Sequence, residues 1–286
     1  MMTFPGAARV HASLPPLNST ASSRSNPGQF EWADLITGDI GRAEQFYTDL
    51  LGWTATAPQT PKGYTSEKTD TKHPYVLLYS NGTPVAGLVG RTAASDRPGR
   101  WIPYVAVSSI GHTTHLIATL NGEVVSHPRT VPDRGRQAIV RDPKNAIVGI
   151  LQSSSGDLAG GREPDGQFTW FELFSSDPKG ASRFYQAAFG YGFENSPSGP
   201  ADHYVLTVND QPVAGIEALP SDAPHASDDW VGFVRVSNLD EKLAKVSSLG
   251  GTVIEPAQSG AANTRFALVS DPTGGVFGLV EFLSTP

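Results

Sequence analysis

No cysteine occurs anywhere in the chain, so disulfides, thiolate nucleophiles, zinc–thiolate centres and iron–sulfur clusters are all excluded. Clusters of Lys and Arg are missing too. With 21 basic against 28 acidic residues the formal net charge is -7, which speaks against a nucleic-acid or anionic-membrane partner and weakly favours neutral or cationic small molecules. No apolar run is long enough for a signal-peptide core or a membrane span, and a cytoplasmic location is the expectation, although an absence of cysteine suits any redox compartment. The chain has no Gly-x-x-x-x-Gly-Lys loop. Its Gly-rich stretches do not join a strand to a helix in dinucleotide-binding fashion, and its Ser-rich segments lack a nucleophile elbow. Nucleotide cofactors and serine hydrolysis are therefore not expected.

What is present is a repeat. Gly28 to Trp53 returns 138 residues later as Gly166 to Tyr191, with ten of twenty-six positions identical. Pro84-Val85-Ala86-Gly87 answers Pro212-Val213-Ala214-Gly215, Trp101 to Ile110 answers Trp230 to Leu239, and Arg136 to Gln152 answers Arg265 to Glu281. The order of blocks is preserved throughout, so the chain is two copies of one domain. That agrees with 286 residues, about two domains' worth, and with 38% hydrophobic residues, enough for a core in each.

The first copy is expected over residues 28–152 and the second over 166–283. Residues 1–27 hold no acid, seven Ser and Thr and four prolines, and read as a flexible leader; the prolines interrupt the amphipathic helix that a targeting sequence would need. Residues 153–165, rich in Ser and Gly, read as a linker.

Hydrophobic spacing orders the elements within a copy. Phe30 to Thr37 is strand-like; Ile40 to Leu51 has helical spacing, with Asp39 placed as its N-cap and Gly52 closing it. Strands follow at Tyr75 to Tyr79 and Val85 to Val89, then a strand at Trp101 to Val107 and a helix near Gly111 to Leu120. Three more strands lie at Glu123 to Ser126, Gln137 to Arg141 and Ala146 to Leu151. Strand, helix and strands thus occur twice per copy, making four small modules.

Asp39, Ala43, Phe46, Tyr47, Leu51, Gly52 and Trp53, with the late Asp142-Pro143 before the last strand, resemble the vicinal oxygen chelate superfamily of glyoxalases, extradiol dioxygenases and bleomycin-resistance proteins. The resemblance covers both copies. It implies an α+β fold in which each domain pairs two βαβββ modules into a curved-sheet cup around its ligand. It also implies that single-domain relatives dimerise, so that a tandem chain meets the pairing internally as a monomer or pairs again as a homodimer.

Metal-dependent members of the resembled superfamily carry ligands that map onto Trp32, Ile102 and Gly149 in the first copy and onto Trp170, Val231 and Gly278 in the second. None of these six side chains can ligate an ion. A catalytic metal needs three or four N or O donors converging at about 2 Å, so no metal is expected at the standard position and no other cofactor is expected. A divalent metal on different ligands is the alternative. Glu217, which faces Val89 in the other copy, is the best single candidate for a relocated ligand. His112 and His115, spaced i, i+3 on a helix, lack an accompanying carboxylate; His73, His127, His203 and His225 fall in loops or strand ends.

Strand alternation puts Phe30, Trp32, Asp34 and Ile36 on one face and Phe168, Trp170, Glu172 and Phe174 on the equivalent one. Each cup is expected to set an aromatic wall beside one acid, suited to stacking a flat ring and binding a cation or hydroxyl. The alternative is that Trp32 and Trp170 only fill the space left by the metal. Tyr104 joins the first cup, and Phe233 and Arg235 the second, where Arg235 is placed to pair with Glu172. Tyr75 and Tyr204 recur at matching positions, as do Arg136 and Arg265; these four line the cups or serve packing and surface. Two functions follow. One is metal-independent binding of a small aromatic or cationic metabolite or drug. The other is a lyase, isomerase or oxygenase-like enzyme of secondary metabolism that uses Asp34 or Glu172 as general base or a non-standard metal site.

Overall fold

A computed structural model describes residues 14, 16, 25–57, 74–91, 97–157, 164–196, 202–219, 227–261 and 263–283. His11, His73 and His225 lie outside them.

The first copy runs β1 (Phe30–Thr37), α1 (Ile40–Leu51), β2 (Thr54–Ala55), β3 (Tyr75–Ser80), β4 (Thr83–Gly90), then β5 (Arg100–Ala106), α2 (Ile110–Thr119), β6 (Glu123–Val131), β7 (Gly135–Arg141) and β8 (Ile147–Ser153). The second repeats this as β9 (Phe168–Ser175), α3 (Pro178–Phe189), β10 (Gly192–Asn195), β11 (Tyr204–Val208), β12 (Gln211–Ala218), β13 (Asp229–Arg235), α4 (Leu239–Val246), β14 (Thr252–Gly260), β15 (Thr264–Ser270) and β16 (Val276–Phe282). The ends of α1 follow from two residues. The Asp39 side chain accepts from the Arg42 N–H, and Gly52 stops the helix at φ 73, a left-handed value that glycine adopts without steric cost. Asp177 and Gly190 do the same for α3. The two-residue β2 has no hydrophobic period and is not visible in the sequence.

Each copy forms one mixed eight-stranded sheet, ordered β2-β3-β4-β1-β5-β8-β7-β6 and β10-β11-β12-β9-β13-β16-β15-β14. The two modules of a domain join where β1 runs antiparallel to β5, and β9 to β13. This is the expected α+β architecture of tandem domains, with two βαβββ modules in each. Helices cover one face of each sheet, and a single apolar cluster joins that side of both domains, including Leu35, Phe46, Trp101, Phe171, Tyr185 and Trp230. The opposite faces carry two separate clusters. One is built on Trp32, Tyr75, Ile102 and Tyr104, the other on Val231, Phe233, Leu268 and Val280. These are the floors of the two cups.

Reciprocal hydrogen bonds tie the domains together. Tyr47 on α1 donates to Asp271 at 2.9 Å, and Tyr185 on α3 donates to Asp142 at 3.3 Å. The Trp53 indole donates to the Gly166 carbonyl, and the Tyr191 hydroxyl to that of Gly28, both at 2.7 Å. At the first end of the segment read as a linker, Ser153 completes β8 while Ser155 and Asp157 are buried. From the leader, Leu14 is only 1% exposed and belongs to the cluster of the first cup.

Candidate functional site

Alternation along β1 and β9 sends Trp32, Asp34 and Ile36, and Trp170, Glu172 and Phe174, into the cups. In the first cup, Asp34 is fully buried and its Oδ1 accepts two hydrogen bonds, from Trp32 Nε1 and from the Tyr75 hydroxyl, each at 2.8 Å. Gly87 on β4 makes room for this pair, because a Cβ there would overlap both the Asp34 carboxylate and the Tyr75 hydroxyl. The Arg134 guanidinium lies 4.0 Å over the Trp32 ring and is itself fully buried, a cation–π contact with no counterpart in the sequence reading. Beneath Arg91 and Arg129 a cavity of about 190 Å³ remains, bounded by Asp34, Ile102 and Tyr104.

The second cup differs in both shape and charge. Trp170 Nε1 donates to Glu172 Oε2 at 2.7 Å, matching the Trp32–Asp34 bond, and Gly215 leaves space for the carboxylate as Gly87 does. The tyrosine is replaced. Tyr75 pairs across the sheet with Val89, whereas Tyr204 pairs with Ile216, one step out of phase with the match of the two sequences. A one-residue shift reverses the facing of a strand, so Tyr204 packs on the helix side against Phe193 and is not in the cup. His203 takes the place that Tyr75 has in the first copy. Its Nε2 lies 3.2 Å from Glu172 Oε1, an ion pair when the imidazole is protonated, and among the described residues neither that oxygen nor either ring nitrogen has a further partner. The hydrogen-bonding pull of Glu172 raises the His203 pKa above the ordinary imidazole value; burial opposes the rise, and the charges of Glu172 and Glu217 add to it. Glu217 is also pushed up, first by burial and then by Glu172. Trp170, Phe174, Phe266 and Phe282 are only half-buried here, whereas Trp32, Tyr75 and Tyr104 are closed off in the first cup.

Two further expectations are corrected. Phe30 and Phe168 do not face the cups, because the β1–β5 and β9–β13 ladders each skip a residue, at Glu31 and Thr169. The bulge turns Phe30 onto Phe171, with ring centroids 4.5 Å apart, and Phe168 onto Trp101, so both belong to the contact between domains. Arg235 does not pair with Glu172. Its Nε meets Asp165 at 2.9 Å and its guanidinium lies over the Phe282 ring. Arg136 is exposed, Arg265 is bound by Asp240 and Glu281, and His112, His115 and His127 are exposed.

The residues at the positions expected for a metal do not fit one. Trp32, Ile102 and Gly149 present no donor, and the Tyr104 ring occupies the space above Gly149 in which a ligand side chain would lie; Phe233 covers Gly278 likewise. Glu172, His203 and Glu217 approach one another, yet among the described residues no three acidic or histidine side chains are arranged to hold an ion. No helix among them is long and apolar enough to cross a membrane.

Residues 29–149 match the Glyoxalase/Bleomycin resistance protein/Dioxygenase superfamily, and residues 170–280 match the Glyoxalase-like domain. The glyoxylase-named protein CFP32 of Mycobacterium bovis is 29% identical over 91% of this chain and 97% of its own length. The anthracycline biosynthesis protein DnrV of Streptomyces peucetius is also 29% identical, over 91% and 95%. Among solved structures, the Mn(II)-bound glyoxalase of Novosphingobium aromaticivorans superposes with a TM-score of 0.62 at 14% identity, covering 91% of this chain and 84% of that one. The 2,2',3-trihydroxybiphenyl 1,2-dioxygenase of Sphingomonas wittichii gives 0.59 at 13% identity, covering 90% and 91%. With both halves matched and the paired eight-stranded sheets in place, the chain belongs to the glyoxalase/bleomycin resistance protein/dioxygenase superfamily as a tandem two-domain member.

Proposed function

We propose that the protein binds a small aromatic, cationic metabolite or drug in its second cup, without a resident metal ion. The observation that carries this reading is the buried Glu172 carboxylate, held on one oxygen by Trp170 and met on the other, among the described residues, only by His203 at 3.2 Å, at the floor of a cup walled by half-buried rings. A buried carboxylate with an unsatisfied oxygen stabilises a ligand that brings it a donor or a positive charge, and the rings of Trp170 and Phe174 stack a flat body beside it. Glu217 adds negative charge; His203 offsets part of it. The first cup is the lesser site, since Leu14 and Arg134 cover it and its 190 Å³ falls below the roughly 300–1,000 Å³ of drug-sized pockets. That two relatives are named for anthracycline biosynthesis supports a flat aromatic ligand.

Fluorescence titration with 9-aminoacridine, a planar cation, tests the reading. The probe is expected to bind, and Glu172→Gln or Trp170→Ala to weaken it about tenfold or more, the scale of one charge-assisted contact. Unchanged affinity in both variants refutes the site. Chelator is expected to leave the melting temperature unmoved, and stoichiometric bound metal refutes the metal-free reading.

The Glu172–His203 contact favours a second reading, in which the carboxylate removes a proton next to a carbonyl and the imidazolium supplies one. Deuterium uptake by a short ketone in D₂O, lost in Glu172→Gln and in His203→Gln, is its signature. Asp34 is less suited to that role, because two donors already occupy its Oδ1.

A further inference from the structure

A cleft of about 700 Å³ opens between the two domains, where the rims of both cups meet. Ile36, Ile102 and Ile147 reach it from the first cup, and Phe174, Val231 and Leu268 from the second. Arg100 and Asp229, each one residue before the matching tryptophans Trp101 and Trp230, bridge the domains at 2.8 Å and neutralise each other. The other charged groups on the wall are Arg91 and Arg97 and one acid, Glu255, so the lining carries a net positive charge.

These two arginines are built into the wall. Arg91 Nη2 donates to the carbonyls of Arg97 and Pro98, which fixes its guanidinium, while its Nε is buried with no hydrogen-bond partner. Arg97 is exposed and has no ion pair among the described residues. Burial and the neighbouring Arg97 hold the Arg91 pKa below the usual guanidinium range, as expected of two like charges with no anion between them. Arg91, Ile36 and Ile102 also border the small cavity of the first cup, so these three residues stand between the two spaces. A guanidinium fixed by two carbonyls, a second and exposed one beside it and an apolar floor complement one kind of molecule: a flat apolar body carrying a carboxylate.

We infer that the interdomain cleft is a second ligand site, adjoining the Glu172 cup along Phe174 and Val231 but with charged groups of its own, which binds a planar aromatic carboxylate with its acid on Arg91 and Arg97 and its ring on Ile36, Ile102 and Val231. The volume suits a ligand of several fused rings. The site exists only because two domains of this fold are joined in this arrangement, since neither cup alone supplies both the arginines and the opposite wall.

Calorimetric titration of the full chain with 2-naphthoate, 2-naphthylmethanol and inorganic phosphate tests the inference. One naphthoate is expected to bind per chain, about tenfold or more tighter than the neutral alcohol and tighter than phosphate. Arg97→Gln, at an exposed position that leaves the fold intact, is expected to weaken naphthoate about tenfold and leave the alcohol unchanged, and Glu172→Gln to leave naphthoate unchanged. Equal binding of acid and alcohol, or no effect of Arg97→Gln, overturns the proposal. Phosphate binding as tightly as naphthoate overturns the aromatic part. If Glu172→Gln abolishes naphthoate binding while Arg97→Gln does not, the acid belongs to the second cup and the cleft site is refuted, with the cup site left standing.

Discussion

The Tyr47 hydroxyl donates to Asp271 of the other domain at 2.9 Å while accepting from the Trp101 indole, also at 2.9 Å. All three residues are buried, and burial together with the Asp271 charge holds the phenol protonated, well above its ordinary pKa. Tyr47→Phe would leave Trp101 Nε1 without an acceptor and Asp271 Oδ2 without this donor. An unsatisfied buried group costs about 1–3 kcal/mol, so a loss of about 2–4 kcal/mol is expected in urea unfolding. Tyr185→Phe, whose bond to Asp142 is longer at 3.3 Å, should cost less. Two variants as stable as the wild type would show that the clasp carries no energy.

Phe233 and Gly278 test the packing that fills the second cup's floor. A Cβ on Gly278 would overlap the Phe233 ring, so Gly278→Ala is expected to destabilise by about 1–3 kcal/mol through overpacking, and Phe233→Ala by about 3–5 kcal/mol through the cavity it leaves. In the double variant the new methyl enters that cavity. Its cost should vanish or change sign, giving a coupling energy of about 1–3 kcal/mol. Simple additivity in the thermodynamic cycle would mean that ring and glycine are not in contact.

The raised pKa values of His203 and Glu217 contribute to the pH dependence of stability, alongside those of Asp142 and Asp229 in the acid range. For His203 and Glu217 the folded state binds protons more tightly than the unfolded chain, so stability from these groups is full below the unfolded values and is lost as pH rises through the folded ones. The unfolded values are about 4.3 for Glu and 6.5 for His. Melting temperature is therefore expected to fall with a Glu217 component above about pH 4.3 and a His203 component above about pH 6.5. His203→Gln should remove the upper component and, because the His203 charge holds the Glu217 pKa down, enlarge the lower one. A profile in His203→Gln that overlays the wild type would show that the imidazole does not titrate against Glu172.

Much of the fold was legible because its signals are local. Asp39 and Gly52 bracket α1, and the apolar period of Phe30 to Thr37 marks β1. Two residues that carried the family resemblance, Tyr47 and Trp53, and their second-copy counterparts Tyr185 and Tyr191 prove to hold the domains together, each with a hydrogen bond across the interface. The site was legible only where strict alternation held. Bulges at Glu31 and Thr169 turned Phe30 and Phe168 out of the cups, and no side chain announces an extra residue in a ladder. The out-of-phase pairing of Tyr204 likewise hid His203, although a clue was available. His203, Glu172 and Glu217 stand at the positions that Tyr75, Asp34 and Val89 occupy in the first copy, and it is at such positions that the two cups differ. Arg134 gave no signal, since neither spacing nor motif sets it apart from Arg136.

Leu14, from the segment read as a leader, is part of the first cup's floor. At 1% exposure it packs in the cluster of Trp32, Tyr75, Ile102 and Tyr104, beside Val131 and Leu151. A buried leucine truncated to alanine costs about 2–5 kcal/mol in a rigid core, and less where the surrounding chain can collapse onto the gap. Leu14→Ala is therefore expected to destabilise by about 1–3 kcal/mol, with Leu14→Asp costing more because it buries a charge in an apolar cluster. The same substitutions uncover the rings beneath, so acrylamide should quench Trp32 more strongly in Leu14→Ala, read in a Trp170→Phe background to reduce the signal of the second cup. If Leu14→Ala unfolds at the wild-type denaturant concentration and quenches no faster, the leader does not seal the first cup. Both cups would then have to be counted as open to ligand.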